Sequence, residues 1–182
     1  MSTLRFNTWQ NTGGTEVANS TLGTGKILQV VSTTKTDTFS AALSGGGTDS
    51  ATITGLNASI TPSSTSSKIL ILATLNIAAS ANNATVVLQR DSTSIAIGDA
   101  AGSRQRVSTG YGDFSTGYHH SSVEVNYLDS PSTTSAVQYT FILKNSLNGA
   151  GSTVYVNRTH TDADAATVPR MVSSITVMEV AA

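Results

Sequence analysis

The pattern of apolar and polar positions along the chain is organised around residues 59–80, SITPSSTSSKILILATLNIAAS. The Pro-Ser-Ser-Thr-Ser-Ser run that starts at Pro62 is turn chemistry that no helix tolerates, and it opens into the longest apolar run, Ile69 to Ala73. The spacing predicts a central β-strand over 68–78. Its odd positions, Ile69, Ile71, Ala73, Leu75 and Ile77, are apolar throughout, whereas the even positions begin apolar at Leu70 and Leu72 and turn polar at Thr74 and Asn76. One face is therefore core along its length, and Leu70 and Leu72 on the other face need a cover.

The rest of the chain carries the same signature in shorter pieces. Strands are expected over 26–32, 36–42, 51–60, 85–90, 94–97, 123–127, 137–143, 154–156 and 171–180, separated by turns rich in Gly, Pro, Ser, Thr and Asn. Gly45-Gly-Gly47 reads as a turn, since the Lys and the helix of a phosphate loop do not follow it. Gly55 inside a strand marks a bulge or a close backbone approach. Asp91-Ser-Thr is expected to turn a hairpin, and residues 100–118, with four glycines among Tyr111, Phe114 and Tyr118, read as a long loop. About ten short strands and no helical period predict an all-β fold, an antiparallel β-sandwich of jelly-roll-like form. Residues 1–25 lack periodicity and are read as an extended N-terminal arm, and 26–182 as the β-sandwich domain. A bare Leu4, Phe6 and Trp9 set on a tail would be an aggregation liability, so the arm is expected to pack on its own domain or on a partner.

Composition narrows the function. Charged residues make up 12% and aromatics 5% of the 182 residues, about three in ten are Ser or Thr, and the 38% apolar residues fall into β-patterned runs, which separates the chain from a disordered tract. A net charge of −1 without a basic cluster argues against nucleic acid as a partner. The absence of cysteine excludes disulfides and thiolate chemistry. No stretch has the length of a membrane span or a signal-peptide core, so no membrane insertion is expected.

Several segments together resemble small tail-fibre or virion structural proteins of phages of marine bacteria and cyanobacteria. They are MSTLRFNTWQNTGG at the start, GKILQVVSTTKTDTFS, ITGLNASITPSSTSSKILILATLNI, LQRDSTSIAIGD, SPSTTSAVQYTFIL, STVYVNRTHTDAD and the closing SSITVMEVAA. The resemblance covers nearly the whole chain. It implies a mostly β, commonly homotrimeric virion protein attached through its N-terminal segment to a tail or baseplate adaptor or to a capsid protein. Leu4, Phe6 and Trp9 would then make the particle contact. A neighbouring subunit is the first candidate cover for Leu70 and Leu72, and the arm the second. The resemblance implies either a tail fibre or receptor-binding protein, or a capsid decoration (cement) protein.

Candidate chemistry is thin. His119 and His120 are adjacent, so in a strand they point to opposite faces and make a poor metal pair within one chain. Asp162 and Asp164 near His160 lack the ligand count of a calcium loop. The abundant Ser and His residues carry no Gly-x-Ser-x-Gly elbow of a nucleophilic triad, and the carboxylate pairs Asp91/Asp99 and Asp113/Glu124 could be set out as glycosidase acids, but a depolymerase normally brings a much larger repetitive body. No catalytic residue, metal or cofactor is expected. The better candidate is the aromatic loop: Tyr111, Phe114, Tyr118 and His119, with Arg104, Arg106 and Asp113 nearby, offer the stacking faces and hydrogen bonds that hold a host-surface glycan. The competing reading is that these aromatics close one end of the sandwich.

Overall fold

The computed structural model describes residues 25–44, 49–81, 83–112, 117–144 and 151–182. Among them there are eleven strands and no helix: β1 (Ile27–Lys35), β2 (Phe39–Leu43), β3 (Ser50–Ile60), β4 (Lys68–Ala79), β5 (Ala84–Arg90), β6 (Thr93–Ile95), β7 (Thr109–Tyr111), β8 (Ser121–Asp129), β9 (Val137–Lys144), β10 (Ser152–Val156) and β11 (Ser173–Val180). The arm expected over 1–25 lies outside the described residues except for Gly25.

Two antiparallel sheets pack face to face. In the first, β4 pairs with β8 along one edge and with β11 and then β10 along the other. β1 pairs with β11 and β2 with β10. In the second sheet β3 pairs with β9 and β9 with β5, while β6 and β7 sit end to end on the free edge of β5. From β2 onward the chain crosses between the sheets at six of its nine connections, and the strand tracks β1-β11-β4-β8 and β3-β9-β5-β6 give the winding of a jelly roll. The all-β sandwich expected from the alternation is the fold.

β4 is the axis of the first sheet because its odd positions supply the core. Ile69, Ile71, Leu75 and Ile77 have no exposed surface, and they pack with Val125, Ile175 and Val177 from their own sheet and Tyr139, Phe141 and Leu88 from the other. Each such aliphatic side chain contributes roughly 1.5–3 kcal/mol through removal from water.

Two strands of the first sheet are one track interrupted. Residues 154–156 run along β4 from Ala79 to Ile77, Asn157 N–H donates to Asn76 O at 2.9 Å, and residues 174–180 resume the track opposite Thr74 to Lys68. Residues 158–172 form an outgrowth between the two halves, closed by an Arg158–Arg170 bridge and by Met171 N–H on Asn157 O. β1 and β2 are broken opposite the same place. The Asn157 side-chain amide fills that break, donating to Lys35 O at 2.8 Å and Asp37 O at 3.0 Å.

Gly55 lies in the expected bulge: residues 53–56 of β3 oppose a single residue between the Thr52–Ile142 and Asn57–Thr140 pairs. Gly55 has φ +76°, and a Cβ there would sit 3.4 Å from the Lys35 ammonium, which is buried and paired with Asp37 at 2.7 Å. That hydrogen bond holds the Asp37 carboxyl below the usual range.

Candidate functional site

The register gives the sandwich two different ends. Gly25, Ala181, the 61–67 turn, the 91–92 turn and the 130–136 connection lie at one end, beside the start of β4. Leu43, Ser50, Ala79, Ala84, Tyr111, Ser121, Lys144 and Ser152 lie at the other.

At the first end two polar clusters tie the layers together. Tyr139 Oη donates to Asp129 Oδ2 at 2.7 Å, and Arg90 donates to both Asp129 oxygens at 3.0 and 2.8 Å. Burial, and then the bond to Asp129, push the Tyr139 phenol well above its ordinary range. Glu179, 1% exposed, points inward from β11 and accepts from the Ser63 amide at 2.7 Å, the Ser63 hydroxyl at 2.6 Å and Gln29 Nε2 at 2.6 Å. Burial alone would raise its pKa, but the hydrogen bonds from Ser63, Gln29 and Ser67 outweigh it and bring the value down to about 2. Both clusters are saturated and enclosed, which makes them structural clamps rather than reactive groups.

The outer face of the first sheet is divided. Toward the far end the 158–172 outgrowth folds over it. Tyr155, on the outward side of β10, is buried because the Arg158 guanidinium lies 4.8 Å over its ring and His160 stacks on it at 5.7 Å, and Ala78 beside it is fully buried. The outgrowth reaches the connection before β8, where Thr161 N–H donates to Gly117 O at 2.8 Å. Only glycine fits at 117, since a Cβ would collide with the Thr161 hydroxyl.

Toward the near end the face is bare. Val30, Met178, Leu70 and Leu128 form one register row across β1, β11, β4 and β8, and Ser32, Thr176, Leu72 and Asn126 form the next. Leu70 is half-buried, whereas Val30 (54%), Leu128 (49%) and Leu72 (38%) are exposed. A shallow concavity of about 260 Å³ follows, lined by Leu72, Thr74, Glu124, Asn126, Ser174 and Thr176 among others. The cover that Leu70 and Leu72 require is therefore not supplied by the described part of the chain.

The residues expected to touch the host divide into two places. Tyr111 ends β7 at the far end, and Tyr118, 57% exposed, and His119 lie in the connection before β8 at that same end. Arg104 and Arg106 lie instead in a loop on the free edge of β5, between β6 and β7, and are turned onto it: Arg104 donates to Ala101 O and Arg106 Nε to Gly98 O. Asp113 and Phe114, like Leu4, Phe6 and Trp9, lie outside the described residues. Asp162 is held between Arg158 and Arg170, and no cluster of three metal-ligating side chains occurs among the described residues. Asp91 is a turn residue whose carboxylate accepts from Gln138 N–H.

Sequence reasoning missed the two clamps and the outgrowth over residues 158–172 that covers the far half of the outer face. A carboxylate at an inward strand position was the available signal for the clamps: Asp129 follows Val123 and Val125 in alternation, and Glu179 follows Ile175 and Val177.

No family model and no curated protein matches the chain. A solved structure described as that of infectious bursal disease virus, Gx strain, matches 87% of it with a TM-score of 0.43 and 14% identity. The chain spans 41% of that protein's length.

Proposed function

We propose that this chain is a non-enzymatic virion structural protein, a tail fibre or receptor-binding protein that holds the particle at the end where residue 25 enters and meets the host surface at the other. The observation that carries the reading is the polarity of the sandwich. The point where the Leu4, Phe6 and Trp9 segment joins and the bare apolar half-face share one end, while Tyr111, Tyr118 and His119 share the opposite end. A jelly-roll winding supports it by analogy of fold, since such folds recur in viral shells and in lectin domains. The segment resemblance supports the same class and adds a homotrimer as the assembled form.

Capsid decoration is the second reading, and the bare half-face favours it, because an uncovered apolar sheet face suits side-by-side packing in a shell. Labelling the protein on intact particles separates the two. Signal at the tail tip is expected, and signal over the whole shell overturns the fibre reading. Purified protein is further expected to block adsorption to host cells. Light scattering of the purified protein gives the oligomeric mass, for which three copies are expected.

A further inference from the structure

We infer that the bare half of the outer face is a docking site for the chain's own N-terminal segment, with Leu4, Phe6 and Trp9 seated over Val30, Leu70, Leu72, Leu128 and Met178. The apolar row that no described residue covers and the apolar Leu4, Phe6 and Trp9 set belong to one polypeptide, and the segment that carries the second joins the fold, at Gly25, at the end where the first lies. The row of Val30, Met178, Leu70 and Leu128 lies at the start of β1, where Gly25 donates to Ala181 O at 2.9 Å and Lys26 O accepts from Ala181 N–H at 2.8 Å. Residues 1–24 thus join the body beside the face. A register shift between Ile27 and Gln29 leaves Ile27 and Leu28 both exposed and extends the apolar surface toward that junction.

Size decides between this segment and a second copy. Four strands spaced about 4.8 Å and two same-face rows about 7 Å apart make a patch of roughly 19 by 14 Å, about 260 Å² in plan. A stable interface between two proteins takes about 800 Å² from each partner, several times more. Two aromatic side chains with about 150–250 Å² of surface each are the right scale for the patch. Reach and concentration also favour the segment. Residues 10–24 extend up to about 50 Å, more than the face requires. A tether of this kind presents its end at an effective concentration on the order of millimolar, far above a free copy at working concentration. This inference does not depend on the virion reading. It adds an unassembled state in which the residues assigned to particle attachment cover a face of their own domain.

Trp9 is the sole tryptophan and the chain has no cysteine, so the test can be made on the full-length protein. Trp9 emission is expected to be blue-shifted, and its quenching by acrylamide several-fold weaker than in the urea-unfolded chain. The double substitution Leu72→Lys with Leu128→Lys is expected to abolish both effects, while Thr52→Lys, on the exposed side of the second sheet, leaves them unchanged. The lysines replace exposed side chains, so circular dichroism should report an intact sandwich. In a second arm, Trp9→Cys with Leu128→Cys is expected to form a disulfide within one chain under mild oxidation. A solvent-exposed Trp9 in the parent protein, protection that survives the face substitutions or vanishes on dilution, or cross-linking only between chains, each overturns the inference.

Discussion

Tyr139 and Asp129 are joined across the sandwich by a 2.7 Å hydrogen bond, with the phenol on β9 of one sheet and the carboxylate on β8 of the other. Arg90 on β5 donates to both oxygens of the same carboxylate and holds it in place for the phenol. Tyr139→Phe keeps the ring packing and removes only the donor. Hydrogen bonds to charged groups contribute about 1.5–3 kcal/mol, and a loss of that order is expected in urea unfolding with an unchanged m-value.

Glu179 makes the stability acid-sensitive. Its folded pKa, about 2, lies below the ordinary glutamate value of 4.5. A depressed carboxylate stabilises the fold fully above its unfolded pKa and loses that contribution as pH falls through the folded value. The Glu179 contribution is therefore intact at neutral pH and is lost between about pH 4.5 and about pH 2. Tm followed from pH 7 to pH 2 should fall in that window. In Glu179→Gln the fall should be shallower and the neutral-pH Tm lower, because Gln puts an amide donor against Ser63 N–H. Parallel curves for the two proteins would show that other carboxylates dominate.

The same two carboxylates mark what alternation could and could not reveal. β4 was legible because its odd positions are uniformly aliphatic, and β8, β9 and β11 were legible over most of their length for the same reason. Asp129 falls two residues beyond the strand expected over 123–127, yet it continues the inward series of that strand. β1 ran on to Lys35 through Thr33 and Thr34, residues whose polarity hid the strand, and β7 was lost inside the long glycine-containing loop. The host-contact set was assembled from sequence proximity. Arg104 and Arg106 separated from Tyr118 because β7 carries the chain from the edge of the second sheet to its far end. That Ser152–Val156 and Ser173–Val180 are one interrupted track is a fact about their shared partner β4, and no local pattern carries it.

Asn157 is the residue at that interruption. It has φ +62°, is fully buried, donates to two main-chain oxygens and accepts from the Ser173 hydroxyl at 2.6 Å. Asparagine tolerates the left-handed conformation better than most residues, and its amide satisfies carbonyls that the break between β1 and β2 leaves without strand partners. Asn157→Ala is expected to cost about 2–3 kcal/mol through two orphaned acceptors. Asn157→Asp should cost more, since it retains the oxygen facing Ser173 and turns a second oxygen toward Lys35 O and Asp37 O. Chemical denaturation of the two variants checks the order, and equal losses would mean that backbone strain rather than the amide donor sets the cost.

Tyr118 separates a ligand-binding role for the far end from a structural one. Its ring is 57% exposed, and Gly117 before it is fixed against Thr161, so the tyrosine is presented from an anchored point. Substitutions at such surface positions change stability by about 0.5 kcal/mol or less. Tyr118→Ala is therefore expected to unfold like the parent protein while losing most of its power to block adsorption, because a stacking aromatic that meets a sugar ring cannot be replaced by a methyl group. Ser130→Ala, at the opposite end, should block adsorption as well as the parent does. If Tyr118→Ala also blocks fully, the far-end aromatics close the sandwich, and host contact must be sought on another surface. If it lowers the unfolding midpoint by more than the surface value, the ring packs against neighbours and its effect on adsorption is indirect.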